Sequence, residues 1–488
     1  MKRTLAEATS VFVVALALFT VFLAHAQLPV DNDPLYADVI RSMARGGDWV
    51  NPSIHGVPFL DKPPLFFWLG AAAATVATPI ELAAHLPAAV SAALMLSLMV
   101  LAMRRAGDRW ATVALALATL IGVSIFVEYG RRVYMEVPVA LCVLGALLAY
   151  DRACANREER RDRFWLLAGV LVGAGVMLKS LVGLFGVLPV LAQAVLERRF
   201  RLLVSRGLWL SALAAAAVAV PWHAVQLVEH RQTFLDFTWR LHVKDQILDA
   251  QPWSAGPPWF YLQALIVDEP VLGVAILIGL GLCVVRVARS QPLPRLDGLL
   301  ALAVVLMLVV FSAASTKKTL YLIPLAAPAA LLFARRVGEA VPRLAPIAAV
   351  AAVVVAVLRP IPFFQPGGAF LTGAASELPA ARAAAAATAP GESIYLFDRY
   401  FSAIQYYADR PTISYWGSAT LVDQTRRIPY IRYADDMRFV APDGLTDLIS
   451  SGQRGVWLLP IDVASTLSLG PRVRVLHQDT SWEVVDSR

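Results

Sequence analysis

Residues 31–68 read DNDPLYADVIRSMARGGDWVNPSIHGVPFLDKPPLFFW and follow the first hydrophobic segment of the chain directly. Carboxylates, a tryptophan and an Asp-Lys-Pro-Pro turn crowd into this one stretch. Its helix-like run starts at Asp33-Pro34, and Asp33 can cap such a helix with Pro34 in first position. Polar side chains this dense are expensive to hold against a bilayer. The stretch therefore reads as an outer loop that carries chemistry.

The surrounding composition sets the class. The chain has 488 residues, 58% hydrophobic and 16% charged, an apolar excess that identifies an integral membrane protein. Apolar runs lie near 8–28, 82–103, 110–128, 135–150, 164–178, 181–196, 207–226, 259–285, 297–315, 319–334 and 344–359. The loops with Arg104/Arg105/Arg109, Arg152 to Arg163, Arg198 to Arg206, Arg286/Arg289/Arg295 and Arg335/Arg336/Arg343 are strongly basic. The positive-inside rule places all of them in the cytoplasm; an N-in start and about eleven spans then leave the C-terminus outside. Ala24-His25-Ala26 resembles a signal-peptidase site, but the first segment is expected to be retained as a span. The net charge of +7 is concentrated in the basic loops. That pattern suits membrane lipid headgroups and argues against nucleic acid. Cys142, Cys154 and Cys283 suggest neither a disulfide nor a metal site.

Two segments depart from the spanning pattern. Residues 64–78 would break the parity as a span and read as an interfacial or partly inserted helix. From about Gln365 an Ala-rich helix (379–388) is followed by strand-like runs SIYLFD, PTISYW, RFVAP, GVWLLP and RVRVLHQ. The expected fold class is an α-helical polytopic membrane protein with a small C-terminal α/β domain. The expected domains are 1–360, with an outer loop at 29–81, and a soluble extracytoplasmic domain at 361–488.

Polar residues of mixed type gather on the outer side. Asp33 is a helix cap, a general base or both, because a carboxylate shielded from bulk water reaches a pKa suited to proton abstraction. Glu136 opens an apolar run, where a carboxylate also favours the helix dipole. Lys179 sits between two short apolar runs and either snorkels or binds phosphate. His242 is either a hydrogen-bonded interfacial histidine or a ligand. Lys317 and Lys318 lie at the outer end of a span, against the positive-inside trend. Asp33 and Glu136 are compatible with a divalent cation without requiring one, and no other cofactor is indicated. No Gly-rich nucleotide loop and no Ser-His-Asp elbow occurs.

These stretches also resemble, in order, the motifs of the GT-C glycosyltransferases that use polyprenyl-phosphate donors, the superfamily of protein O-mannosyltransferases and lipid A aminoarabinose transferases. Asp33 with Tyr36-Ala37-Asp38 resembles the family's acidic first-loop motif, and Asp61-Lys62-Pro63-Pro64 its Glu-Lys-Pro-Pro turn. GRRVYMEVP resembles the second acidic motif, with Glu136 where Asp is usual. VMLKSLVGL resembles Leu-Thr-Lys-Gly-Pro-Val-Gly, with Ser180-Leu181 in place of Gly-Pro. Trp239 and His242 match the third outer loop, and STKKTLYLIP the Ser-x-x-Lys-x-x-x-Tyr-x-x-Pro motif. Leu35 stands where the family often has arginine. The resemblance implies an inverting transfer of a sugar to a lipid, glycan or protein acceptor at the outer face of a bacterial inner membrane. It implies Asp33 and Glu136 as catalytic carboxylates. Lys62, Lys179, Lys317, Lys318 and Tyr321 would hold the lipid phosphate, and Tyr36, Asp61 and His242 the substrate. Asp38 is expected to matter less than Asp33. The rival reading is a lipid or glycan transporter, which would place its charges near the membrane midplane.

Overall fold

The computed structural model describes residues 2–28, 32–155, 161–236, 238, 256–365, 377–398, 402–419, 422 and 438–488. In chain order the helices are α1 (Lys2–Thr20), α2 (Asp33–Ala44), α3 (Leu65–Ala73), α4 (Ile80–Arg105), α5 (Trp110–Ile121), α6 (Ser124–Tyr129) and α7 (Glu136–Ala155). Then come α8 (Arg161–Lys179), α9 (Leu188–Leu196), α10 (Phe200–Leu203), α11 (Arg206–Leu235), α12 (Phe260–Val267) and α13 (Pro270–Ala288). These are followed by α14 (Arg295–Ala313), α15 (Ile323–Ala340), α16 (Ala345–Leu358), α17 (Ile361–Phe364), α18 (Leu378–Ala387) and α19 (Ser402–Ala408). The chain forms two units. One comprises Met1–Leu23, Lys62–Gly70 and His85–Gln365; the other comprises Ala24–Asp61, Ala71–Ala84 and Pro366–Arg488.

The first unit is a membrane bundle. Among the described residues, eight helical stretches are long and apolar enough to cross a bilayer. The expectation of about eleven separate spans is not matched run for run, for local reasons. Pro270 cannot continue a helix, so the run at 259–285 divides at Asp268–Glu269 into α12 and α13. The run at 110–128 divides into α5 and α6, and the 12 residues of α5 reach about 18 Å of a roughly 30 Å hydrocarbon core. The nine residues of α3 are likewise too few to cross. Glycine sets the closest packing in the bundle. A Cβ on Gly169 of α8 would lie 2.1 Å from the Ser211 carbonyl oxygen of α11, and one on Gly173 2.7 Å from that of Ala215. Small residues let helix backbones approach in this way where no hydrophobic drive acts between them.

The basic loops meet at one end of this bundle and are stitched there by ion pairs. Arg104 reaches Glu7 of α1 at 3.2 Å, Arg295 reaches Asp151 of α7 at 3.0 Å, and Arg206 reaches Asp162 of α8 at 3.2 Å. Arg335 bonds Asp297 at 2.8 Å and also pairs with Asp108; Arg336 pairs with the same Asp297. Arg286 pairs with Glu339.

The second unit contains a six-stranded sheet. Its strands are β3 (Ile394–Phe397), β4 (Thr412–Trp416), β5 (Arg438–Phe439), β6 (Val456–Pro460), β7 (Arg474–Gln478) and β8 (Trp482–Asp486), following a small hairpin of β1 (Ser53–Ile54) and β2 (Val57–Pro58). The sheet order is β5-β4-β3-β6-β8-β7. Strands β5, β4, β3 and β6 run parallel, while β8 is antiparallel to both β6 and β7. Side-chain alternation supplies two cores. Ile394, Leu396, Val456, Leu458 and Val484 pack with Ala380, Ala381 and Ala384 of α18. Tyr395, Phe397, Tyr415, Trp457 and Val485 form the opposite face. The sequence runs anticipated α18 and five of the strands. They missed β8, whose WEVVD alternation is short; the tight turn before it is held by Asp479 accepting from the Ser481 and Trp482 amides.

Candidate functional site

The expected residues fall in both units, and each unit is built from its own sequence. In the bundle, α8 ends at Lys179, whose backbone leaves the helix with φ −150° and ψ 52°. The next residue, Ser180, has φ 38°. This is the left-handed region that glycine occupies without strain, and glycine is the residue that the resembling motif carries there. A 3₁₀ segment, Ser180–Gly186, then folds back on α8. A Cβ on Gly183 would lie 2.3 Å from the Gly175 carbonyl carbon, so this return depends on that glycine.

The break aims Lys179 inward. Its ammonium donates to Glu136 Oε1 at 2.5 Å and lies 4.9 Å from the centre of the Tyr321 ring. Glu136 opens α7, and its side chain is 4% exposed. Its second oxygen, Oε2, is buried and has no hydrogen-bond partner among the described residues. Beneath the lysine lies an aromatic floor. The Phe311 ring is 5.7 Å from Tyr321, 5.3 Å from Phe185 and 6.4 Å from Tyr261. Sequence reading singled out Tyr321 alone of these. The other three are aromatics at ends of apolar runs, and no local signal separates them from interfacial anchors.

The two adjacent lysines divide their duties. Lys317 is buried, and its ammonium donates to the carbonyls of Phe311 at 3.1 Å, Ser312 at 2.6 Å and Ala314. It therefore caps the end of α14, where a cation suits the helix dipole. Lys318 is exposed, and its backbone amide approaches the Tyr261 hydroxyl at 3.4 Å. Lys62 is half-buried at the turn that enters α3.

In the second unit, α2 begins at Asp33 itself. Asn32 occupies the N-cap position and makes no side-chain cap bond. Asp33 is thus a first-turn carboxylate and not the cap, and it is completely buried. Tyr36 is buried edge-on against Phe59, with centroids 6.2 Å apart, and Asp61 is buried at the end of the same loop. Asp38 is also buried, and it receives two bonds from Arg41, at 3.2 and 2.7 Å. Burial pushes the Asp38 carboxyl up from its ordinary pKa, against the pull of Arg41 and His55. At Asp409 burial is outweighed by Arg45 and Arg41, which hold that carboxyl below its ordinary value. His242 lies outside the described residues. Glu136 meets an ammonium and not a second carboxylate. Among the described residues, no three His, Cys, Asp or Glu side chains gather into a set that could hold a metal ion.

Chemically, the bundle holds a cation at a helix break beside an aromatic ring, with one buried carboxylate oxygen that has no hydrogen-bond partner among the described residues. The second unit holds a buried carboxylate at a helix N-terminus.

Known proteins resemble this chain in sequence and in fold. The family model for dolichyl-phosphate-mannose-protein mannosyltransferases matches residues 61–224. An undecaprenyl phosphate-alpha-4-amino-4-deoxy-L-arabinose arabinosyl transferase of Sodalis glossinidius is 30% identical over 62% of this chain and 54% of its own length. The enzyme of that name from Pseudomonas aeruginosa is 29% identical over 67% of this chain and 59% of its own length. The matches thus span little more than half the length of these relatives. The crystal structure of ArnT from Cupriavidus metallidurans bound to undecaprenyl phosphate superposes with a TM-score of 0.78 at 18% identity, covering 99% of this chain and 98% of that one. The superposition shows the fold: a polytopic helical bundle with a small C-terminal α/β region.

Proposed function

We propose that this protein is an integral membrane glycosyltransferase. It moves a sugar from a polyprenyl-phosphate donor to a lipid, glycan or protein acceptor on the extracytoplasmic face of the bacterial inner membrane. The observation that carries this reading is the Lys179–Glu136–Tyr321 group at the break of α8. A phosphate on an apolar carrier needs a cation held at membrane depth, and a lysine with a movable counter-ion supplies one.

The reaction is a single displacement. An acceptor oxygen forms a bond to the anomeric carbon while the bond from that carbon to the donor phosphate breaks. The electron pair leaves with the phosphate. Asp33 accepts the acceptor's proton, and Lys179 stabilises the charge that grows on the departing phosphate, with Lys62 and Lys318 as further cations. Without an enzyme nucleophile the configuration inverts. Tyr36 and Asp61 line the sugar side, and Lys317 supports the loop that carries Tyr321.

The bundle end where the basic loops are stitched together supports the sidedness, since the positive-inside rule assigns such an end to the cytoplasm. A reporter fused after Arg488 should read extracytoplasmic, and one at Arg157 cytoplasmic. The donor to test first is the relatives' own, undecaprenyl phosphate-linked 4-amino-4-deoxy-L-arabinose. The assay uses the full chain in nanodiscs and follows release of polyprenyl phosphate. Asp33→Asn should lower turnover by about 10²-fold or more, the low end for loss of a general base. Near-normal turnover in that variant would remove Asp33 from the reaction.

A further inference from the structure

The C-terminal region reaches α2 through a buried arginine. Arg41 lies two turns after Asp33 on that helix and is 6% exposed. Its guanidinium donates to the Tyr406 carbonyl oxygen at 2.7 Å and stacks over the Tyr406 ring at 4.2 Å. It also pairs with Asp409 at 3.2 Å and with Asp38 of its own helix at 2.7 Å. Tyr406 belongs to α19 and Asp409 follows directly after it. The same short helix secures the chain on either side of the loop. The Tyr407 hydroxyl accepts from the Leu28 amide at 2.8 Å, ahead of α2. The Tyr406 hydroxyl donates to Glu81 at 3.1 Å, beyond the loop. Only a planar, permanently charged fork can accept the stack, the carbonyl and two carboxylates together.

We propose that the C-terminal α/β region is a positioning element for the transfer reaction, and that it acts through Arg41, which fixes α2 and thereby the placement of Asp33. This rests on the proposed role of Asp33. Arg41 touches neither reacting group in this account; it sets the helix that carries one. A carboxylate displaced by a fraction of an ångström loses its alignment with the acceptor proton, while the donor is still held by other side chains. The loss therefore falls on kcat and not on donor KM.

The test uses the full chain in nanodiscs, with wild type, Arg41→Lys, Tyr406→Phe and Arg45→Ala side by side. Lysine keeps the charge of Arg41 but not the stack or the fork. Arg45 is exposed and pairs only peripherally, with Asp409 at 2.7 Å. Two readouts are taken: kcat and donor KM for sugar transfer, and hydrogen exchange of the α2 amides against those of β6 and β8. Arg41→Lys should lower kcat about tenfold, with donor KM within twofold of wild type. It should speed exchange in α2 and leave β6 and β8 protected. Tyr406→Phe should move both readouts in the same direction by less, and Arg45→Ala should move neither. Unchanged α2 exchange in Arg41→Lys, or a kcat equal to wild type, overturns the proposal. So does a loss of protection in β6 and β8 equal to that in α2, which would mean general unfolding. A wild-type chain that transfers no sugar sinks the functional reading instead, and the exchange measurement still decides whether Arg41 holds α2.

Discussion

Two buried carboxylates in the membrane bundle meet cations in different ways. Asp297 is fully buried, and each of its oxygens faces a guanidinium, from Arg335 and Arg336. Arg335 continues to Asp108, and Arg336 to Glu339 at 2.6 Å. Glu136 meets a single lysine through one oxygen and leaves the other without a hydrogen-bond partner among the described residues. Arginine stays charged in any such setting and its fork fixes geometry, whereas lysine is a compact charge on a flexible stem. The first arrangement sets a guanidinium against each carboxylate oxygen and ties helix ends together. The second is incomplete, and an incoming anion could take the lysine over. The contrast separates a structural staple from the group proposed to meet the donor phosphate, although both are ion pairs by distance.

The largest effect expected is at the staple. Asp297→Ala removes the buried carboxylate that two guanidiniums share and should cost about 3–5 kcal/mol of stability, as for other broken buried pairs. Denaturation of the purified protein measures it. The fraction that folds should keep wild-type kcat; a folded fraction with lost turnover would show that Asp297 serves the reaction.

Lys179→Met comes next. Turnover should fall by about 10²–10³-fold, the range for removing one preorganised charge stabiliser. Because this also strands Glu136, the double variant Lys179→Met/Glu136→Gln should recover stability and stay inactive. Recovered activity in the double variant would mean the pair is only a staple. Lys179→Arg should retain part of the activity, since charge is the operative property.

A smaller effect is expected at Lys317. Lys317→Met should lower stability by about 1–2 kcal/mol through the exposed end of α14, with donor KM unchanged. A raised donor KM would return Lys317 to the phosphate ligands and blur the line between staple and site. The smallest effect is at the break itself. Ser180→Gly should stabilise the protein by about 1 kcal/mol, because it removes the cost of a side chain in the left-handed region. A destabilised Ser180→Gly would mean the serine hydroxyl matters more than the backbone strain.

Much of this was legible in the sequence because it is written in short-range patterns. Apolar run length set the membrane class, the arginine clusters anticipated one end of the bundle, and period-2 alternation placed β3, β4 and β6. The pairing of Lys179 with Glu136 was not legible, since 43 residues separate them and each had its own local explanation. The contacts of Lys317 were not legible either: its spacing matches a binding motif, while its ammonium turns back onto α14. Asp38 looked secondary beside Asp33, yet it is buried against Arg41.

What the sequence by itself determined is the class of molecule and the residues worth testing, because hydrophobic length, loop charge and motif order need no three-dimensional knowledge. The tertiary structure alone decided which cation neutralises which carboxylate, that Lys317 ends a helix, and that α19 grips α2 through Arg41. A charge at this depth pairs with whatever the fold brings within about 4 Å, and desolvation makes that pairing energetically decisive. The chain brings such groups together only after its helices have packed.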